Sequence, residues 1–314
     1  MNALLQDLFN GDTRALARVI TKVENRSEDS PELLKLLFPH TGRARIIGIT
    51  GSPGAGKSSL VDRLTVDLRQ KNESVAVVAV DPSSPFSGGA ILGDRIRMQT
   101  LGTDPGVFIR SMATRGHLGG IAAATSDVIS VLDAAGKDPI LVETVGVGQD
   151  EIEIVRHADV SIVVLVPGMG DDIQAIKAGI MEIGDIFVIN KSDRPGVEKM
   201  ETAVAAMLQL AHRPDRWMPP IVKTSATKGT GIGDLLAEID RCFAHFQNGP
   251  IRAKKKVEAA RQRLLAVLEE QLLKTVLTTN LPREELDRIA LEIANRHTDP
   301  YTEAGRILKA IYEH

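Results

Sequence analysis

Residues 51–58 read Gly51-Ser52-Pro53-Gly54-Ala55-Gly56-Lys57-Ser58, which fits the phosphate-loop pattern G-x-x-x-x-G-K-[ST]. The apolar run 46–49 before this stretch predicts a buried strand, and apolar residues recur at helical spacing through 59–64. A phosphate loop requires a strand before it and a helix after it. The context therefore favours a nucleotide site over a glycine-rich turn that carries a lysine by chance.

The residue types of this loop explain how it would hold a phosphate. Glycine allows the backbone to adopt positive φ and to approach an anion closely. Successive N–H groups at the start of the helix then surround the phosphate, Lys57 reaches the β- and γ-phosphates, and the Ser58 hydroxyl can ligate Mg²⁺. We expect nucleotide contacts from Gly51, Ser52, Pro53, Gly54, Ala55, Gly56, Lys57, Ser58 and Ser59.

The composition indicates a globular protein of about two domains, or of one large domain with appendages, with 314 residues, 25% of them charged and 43% apolar. A net charge of −3 argues against a nucleic-acid surface. The sequence contains no run of 18 apolar residues, so we expect no membrane span. Cys242 is the single cysteine, which excludes an internal disulfide and fits a reducing compartment. Because residues 1–10 contain no basic residue, they do not resemble a secretory signal, and we expect a cytoplasmic protein.

The hydrophobic pattern divides the chain into a helical segment 1–42, a strand–helix domain 43–248 and a helical segment 249–314. Strands that alternate with helices predict the α/β class, with a mostly parallel central sheet flanked by helices. The first segment, in which Asp12 can cap a helix, is expected to be a packing appendage. The predicted strands are 46–49, 74–80, 108–109, 140–142, 160–166, 186–189 and 221–222.

The C-terminal segment carries apolar residues that three helices of this kind cannot bury well alone. The near-heptad series consists of Leu264, Leu265, Leu268, Leu272 and Val276. These residues either pack on the sheet domain or pair with a second copy of the chain. We expect a homodimer, since a symmetric dimer is the commonest soluble assembly.

Acidic residues after two predicted strands indicate a magnesium site beside the phosphate loop. Asp81 and Glu143 each end an apolar run, where a carboxylate can hold Mg²⁺ or a water molecule of its shell. Gly146 can place a backbone N–H at the γ-phosphate, a contact that hydrolysis would break. Asp94 lies in a long glycine-rich loop that could close over the site. The predicted metal set is Ser58, Asp81, Asp94 and Glu143.

Two further signatures predict that the base is guanine. Asn190-Lys191-Ser192-Asp193 follows a strand, and the Asp193 carboxylate can accept hydrogen bonds from guanine N1 and N2, which adenine lacks. Ser225-Ala226-Thr227 can direct a backbone N–H at the guanine oxygen. The predicted ligands are therefore GTP or GDP with Mg²⁺. Asp94 is our first expectation for the residue that orients the attacking water and Gln149 the second, which gives a catalytic set of Lys57, Asp94, Glu143 and Gln149.

With these residues the chain resembles the methylmalonyl-CoA mutase-associated GTPases, the MeaB-type or ArgK-like family in the SIMIBI class of phosphate-loop GTPases. The resemblance covers nearly the full length. It is carried by 11–18, 51–58, 81–85, 93–95, Arg110-Ser111-Met112-Ala113-Thr114-Arg115-Gly116-His117-Leu118-Gly119-Gly120, 143–149 and 299–301. The run 110–120 is the most specific of these, because no generic nucleotide chemistry requires it.

The resemblance implies a GTPase that serves an adenosylcobalamin-dependent acyl-CoA mutase. Such a protein would gate the loading of cofactor from a cobalamin adenosyltransferase and protect or reactivate the mutase. It also implies that Lys57, Ser58, Asp81, Asp94 and Glu143 serve phosphate, Mg²⁺ and hydrolysis, that Asn190, Lys191 and Asp193 serve guanine, and that 168–177 forms an extra switch. Two alternatives stay open, a GTPase metallochaperone and a kinase as in the older ArgK description.

Overall fold

Seven short runs rich in valine, isoleucine and leucine form one parallel sheet. The structure is a computed structural model that describes residues 2–81, 101–113, 120–144, 158–168, 183–210, 217–247 and 250–312. In space the strands follow the order β3-β2-β4-β1-β5-β6-β7. Their bounds are β1 Ile46–Gly51, β2 Val75–Asp81, β3 Val107–Ala113, β4 Ile140–Thr144, β5 Val160–Leu165, β6 Ile186–Ile189 and β7 Ile221–Lys223.

Helices lie between most strands, as the alternating pattern predicts, and further helices occupy both ends of the chain. Residues 38–40 and 101–103 form 3₁₀ turns, and 276–280 form a π-helical turn. The α-helices are α1 Asn2–Phe9, α2 Thr13–Glu24, α3 Ser30–Leu37, α4 Lys57–Gln70, α5 Gly120–Ala134, α6 Val197–Leu210, α7 Ile232–Gln247, α8 Pro250–Thr275, α9 Arg283–Ala294 and α10 Pro300–Tyr312.

The sheet is covered on both faces, which explains why its strands are continuously apolar rather than alternating. All residues of β4, β5 and β6 are buried. On one face, α4 and α7 pack over the sheet in a single core cluster. The other face carries two clusters, one under α6 and one under α5 and the N-terminal helices. These observations confirm the predicted fold class.

The N-terminal helices share a hydrophobic core with the sheet. Leu8, Val19, Ile20 and Leu33 are almost fully buried and belong to the same cluster as residues of β2, β4 and α5. Asp12 caps α2 as predicted, because its Oδ1 accepts hydrogen bonds from the backbone N–H groups of the first turn at 2.6 and 2.8 Å. The segment 1–42 therefore packs on the domain that follows it.

The buried carboxylate of Asp133 fixes the connection between this segment and the sheet. It lies in the last turn of α5 and accepts hydrogen bonds from three successive backbone N–H groups, those of Gly42, Arg43 and Ala44. The bond from Ala44 measures 3.0 Å. Since Ile46 begins β1 only two residues later, Asp133 sets where the chain enters the sheet.

The chain divides into two compact units, Met1–Lys255 and Lys256–His314. In the second unit Asp299 caps α10, accepting from Tyr301 N at 2.9 Å and Thr302 N at 3.0 Å. Ion pairs join Arg306 and Arg288 to the Glu285 carboxylate, and mainly the Arg288 contact lowers the pKa of Glu285 to about 2. The leucines of α8 are exposed, at 60% for Leu264, 51% for Leu265, 44% for Leu268 and 65% for Leu272.

Across the described part of the chain, no helix combines the length and the apolar character needed to cross a membrane.

We expect Asp133→Ala to lower the free energy of unfolding by about 1–3 kcal/mol, because buried N–H groups would lose their acceptor. Urea unfolding followed by the fluorescence of Trp217, the only tryptophan and a buried one, measures the change. Asp7→Ala, at an exposed position of α1, is the control and should stay within about 0.5 kcal/mol of the parent. Equal stability of the two variants would contradict the anchoring role.

Candidate functional site

The phosphate loop connects β1 to α4 at the carboxyl edge of the sheet, where ligands of open parallel sheets bind. Glycine is required at two of its positions. A Cβ on Gly51 would lie 2.2 Å from Val164 O, and a Cβ on Gly56 would lie 2.5 Å from Asn190 Nδ2. Gly56 also has a φ of +86°, in the left-handed region that favours glycine. The neighbouring strand and loop therefore shape the phosphate loop from outside.

Lys57 holds its ammonium group inside the loop. The residue is 5% exposed, and its Nζ donates to Gly51 O at 2.6 Å and to Ser52 O at 3.1 Å. Ala55 is buried, Pro53 and Gly54 are exposed, and Ser59 lies in the first turn of α4. A positive charge is thus fixed beside a backbone turn that opens toward solvent, which is the arrangement that binds a phosphate.

Ser58 and Glu143 meet at the base of this loop. The Ser58 hydroxyl donates to Glu143 Oε1 at 2.6 Å, and Glu143 is 4% exposed. Beside them, the Thr144 hydroxyl donates to Thr50 Oγ1 at 3.1 Å and so connects the ends of β4 and β1. Hydroxyl and carboxylate oxygens are the ligands that Mg²⁺ prefers, so these residues fit the predicted metal.

Asp81 is the last residue of β2, which pairs with β4 up to the contact of Val80 with Thr144. The backbone therefore places Asp81 at the same edge of the sheet as Glu143. Three other predicted site residues, Asp94, Gly146 and Gln149, and the segment 169–177 lie outside the described residues.

The loop after β6 attaches to the phosphate loop from the other side. Asn190 Nδ2 donates to Ala55 O at 2.9 Å, and its Oδ1 accepts from Thr224 Oγ1 and from Ala226 N, both at 3.2 Å. Lys191 has a φ of +55°, unusual for a residue with a side chain, and its Nζ donates to Gly54 O at 2.7 Å. The predicted guanine loop thus holds the predicted phosphate loop in place.

Asp193 presents its carboxylate beside the loop after β7. Ser225 Oγ donates to Asp193 Oδ1 at 2.8 Å, and Lys228 Nζ lies 3.2 Å from Oδ2. The Ser225 hydroxyl, followed by a backbone N–H and the Lys228 ammonium, holds the pKa of Asp193 below its usual value. The carboxylate is therefore an anionic acceptor at neutral pH, as recognition of guanine N1 and N2 would require.

The loop after β7 differs in detail from the sequence expectation. Ser225 N donates to Thr230 O at 3.0 Å, and Ala226 N donates to Asn190 Oδ1, so both amides are engaged within the protein. Ser225 reaches Asp193 through its hydroxyl instead, and Thr227 is exposed. Sequence reasoning also missed Thr224 and Lys228. The available signal was their position next to a loop already assigned to the base.

A phosphate loop with its lysine and serine, and an Asn-Lys-x-Asp loop attached to it at the same sheet edge, define a phosphate-loop GTPase. The chain matches the family described as methylmalonyl Co-A mutase-associated GTPase MeaB over residues 16–280, and it belongs to that family.

Relatives and a solved structure agree with this placement. A relative from Pyrococcus abyssi is 47% identical over 99% of this chain and 97% of its own length. GTPase ArgK of Escherichia coli K12 is 35% identical over 95% of this chain and 92% of its own length. The crystal structure of an LAO/AO transport system kinase superposes with a TM-score of 0.70 at 28% identity, covering 99% of this chain and 97% of that one.

We expect Gly56→Ala to weaken GDP binding by at least about tenfold, because its methyl group would displace Asn190 from its hydrogen bond with Ala55 O. Gly42→Ala is the matched control. Gly42 has a similar φ of +93°, and a methyl group added there would have no heavy atom within 4 Å. Both variants carry the left-handed backbone cost of about 1–2 kcal/mol.

Isothermal titration with GDP compares the two variants with the parent. Only Gly56→Ala should lose affinity, and equal affinities would show that the contact between Asn190 and the phosphate loop does not shape the site.

Proposed function

We propose that this GTPase is a chaperone for an adenosylcobalamin-dependent acyl-CoA mutase, methylmalonyl-CoA mutase or a close relative. It would gate cofactor loading from a cobalamin adenosyltransferase and protect or reactivate the mutase. The description of the family, which names association with methylmalonyl-CoA mutase, supports the partner. The observation that carries the nucleotide part is the convergence of Lys57, the Ser58–Glu143 pair and Asp193 at one edge of the sheet.

Each of these groups has a chemical task in the proposed reaction. The loop amides and Lys57 bind the phosphates and stabilise the charge that develops as the γ-phosphoryl group leaves. Ser58, Asp81, Asp94 and Glu143 would hold Mg²⁺, which supplies further neutralisation of that charge. Gly146 would contact the γ-phosphate, and Asp94, with Gln149 second, would orient the attacking water. Asn190, Lys191, Asp193 and the loop Ser225 to Thr227 would bind guanine.

Hydrolysis is proposed to be slow in the isolated protein and faster with the partner. Phosphoryl transfer depends on positioning and on charge stabilisation, so a site that a partner completes gains rate on binding. The segment 168–177 is proposed as the switch that faces the partner. With a single buried cysteine that needs no oxidising environment, a cytoplasmic location fits this role.

We propose that residues 249–314 form a dimerisation segment. Leu264, Leu268 and Leu272 are exposed on α8 at a spacing that a second helix can cover. A second copy of the chain would supply that helix in a symmetric homodimer.

A kinase is the second candidate, favoured by the likeness of this fold to the LAO/AO transport system kinase. It would transfer the γ-phosphoryl group to an acceptor rather than to water. Incubation with γ-labelled GTP and ATP distinguishes the two, since label on protein or on a small acceptor supports the kinase and free phosphate supports the GTPase.

We expect Asp193→Asn to weaken GDP binding by about 10- to 100-fold, the loss that follows when hydrogen bonds to a charged acceptor disappear. We expect the parent to bind ADP weakly and the substitution to leave that affinity unchanged, so the ratio of GDP to ADP affinity should fall. Titration calorimetry with both nucleotides measures the effect, and Asp7→Asn, on the exposed side of α1, is the control. Unchanged GDP affinity would remove Asp193 from the base site.

We expect a purified adenosylcobalamin-dependent acyl-CoA mutase to raise the GTP hydrolysis rate of this protein by at least about tenfold, within the range that completion of a GTPase site by a partner reaches. Phosphate release is measured with and without the mutase, and complex formation is followed by size-exclusion chromatography. Lys57→Ala should keep the fold and lose the stimulated activity. If the mutase neither binds this protein nor stimulates it, while the protein hydrolyses GTP without the mutase, the GTPase assignment stands and the chaperone role is rejected.

A further inference from the structure

Lys228 forms an ion pair with Asp193 that the sequence signatures do not include. Its Nζ lies 3.2 Å from Asp193 Oδ2, while Ser225 Oγ donates to the other oxygen at 2.8 Å. The two carboxylate oxygens therefore have different donors, one neutral and one charged. Two donors on two oxygens fix the plane of a carboxylate, whereas one donor on one oxygen leaves it free to rotate.

Backbone hydrogen bonds close the turn that contains Lys228 and hold this lysine beside Asp193. Lys228 N donates to Ser225 O, and Ser225 N donates to Thr230 O, both at 3.0 Å. The turn ends at Gly231, which has a φ of +73° and where a Cβ would lie 2.0 Å from Lys223 O. On the opposite side, Ser192 N donates to Thr224 O at 2.9 Å. The loops that carry Asp193 and Lys228 are thus hydrogen-bonded to each other.

We propose that Lys228 is a positioning residue for guanine recognition, which holds the Asp193 carboxylate in the plane where both oxygens meet the base. The proposal rests on the proposed function of Asp193. A carboxylate oxygen has two lone pairs, so each oxygen can keep its protein donor and also accept one N–H of guanine. Without Lys228, only Ser225 holds the carboxylate, and one of the two base contacts is lost.

The charge of Lys228 acts in the same direction. A hydrogen bond from a charged donor is stronger than one from a neutral donor, so the ammonium group holds Oδ2 more firmly than a hydroxyl would. Another lysine of this region, Lys191, donates to Gly54 O of the phosphate loop instead. The two lysines therefore serve different ends of the nucleotide site.

An exposed ion pair often contributes little, and the side chains of Lys228 and Asp193 are 61% and 34% exposed. The chain contains a matched pair that separates a positioning role from a general charge effect. Lys223 Nζ lies 3.0 Å from Glu201 Oε2, with exposed fractions of 47% and 36%. Lys223→Met removes the same charge from the same end of the sheet without touching Asp193.

The test compares Lys228→Met, Lys223→Met and Lys228→Arg with the parent protein by calorimetric titration of GDP and IDP. Inosine keeps N1–H but lacks the exocyclic N2 group of guanine. Lys228→Met should weaken GDP binding by about three- to fivefold, the upper range for exposed ion pairs, and should lower the ratio of GDP to IDP affinity by a similar factor. Lys223→Met should leave the ratio unchanged, and Lys228→Arg should restore it to within about twofold.

Three results would overturn the proposal. A Lys228→Met protein that binds both GDP and IDP as tightly as the parent would show that Lys228 does not position the carboxylate. If Lys228→Met and Lys223→Met weaken GDP binding equally, the effect comes from the lost positive charge and not from the position of Lys228. If the parent itself binds no GDP, or binds ADP equally well, the proposed guanine site fails and the inference fails with it, an outcome that differs from the first two.

Discussion

The site depends on the buried amide of Asn190. This side chain, 2% exposed, donates to the phosphate loop at Ala55 O and accepts from Thr224 and Ala226 of the loop after β7. An amide carries a donor and an acceptor on one planar group, which neither a carboxylate nor an aliphatic side chain can replace. A buried polar network that is fully satisfied makes its surroundings rigid. Asn190 therefore fixes the distance between the group that would read the base and the loop that would hold the phosphates.

The parallel sheet makes the hydrogen bonds between these loops possible, because it brings the ends of distant segments to one edge. Ser58 and Glu143 are 85 residues apart, yet the pairing of β1 with β4 places them within a hydrogen bond. One residue after Glu143, the Thr144 hydroxyl donates to Thr50 Oγ1 and so joins the ends of β4 and β1. Apolar burial of the strands supplies the stability, and the polar ends supply the chemistry. The polar residues of the site lie at or just beyond the carboxyl ends of the strands, as Asp81, Glu143 and Asn190 do.

Much of the fold and of the candidate site could be predicted from the sequence, because the features concerned are encoded by residues close together in the chain. Gly51 to Ser58 lies between a strand and a helix, Asp12 caps a helix, and the seven predicted apolar runs correspond to the seven strands. The position of β4 between β2 and β1 was not readable, because apolar periodicity shows that a face is buried but not which neighbour buries it. Which strands α1–α3 cover was not readable for the same reason. Lys228 was not predicted, because a surface lysine in a turn has no pattern of its own and only its position next to the base loop could have indicated it.

The strands that carry the predicted metal ligands and the strands that lead to the base loop are packed by different helices. On the face of the sheet opposite α4, the N-terminal helices and α5 cover β2, β3 and β4, whereas α6 covers β5 and β6 in a separate cluster. The first group of strands ends in Asp81 and Glu143, and the second leads into Asn190. The cluster beneath α4 and α7 is continuous across both groups. The N-terminal helices therefore pack against the strands that carry the predicted metal ligands. The strands that lead to the base loop pack against α6 in a cluster of their own, and the two groups of strands are joined by the core under α4 and α7 and, at the site, by the hydrogen bonds of Asn190.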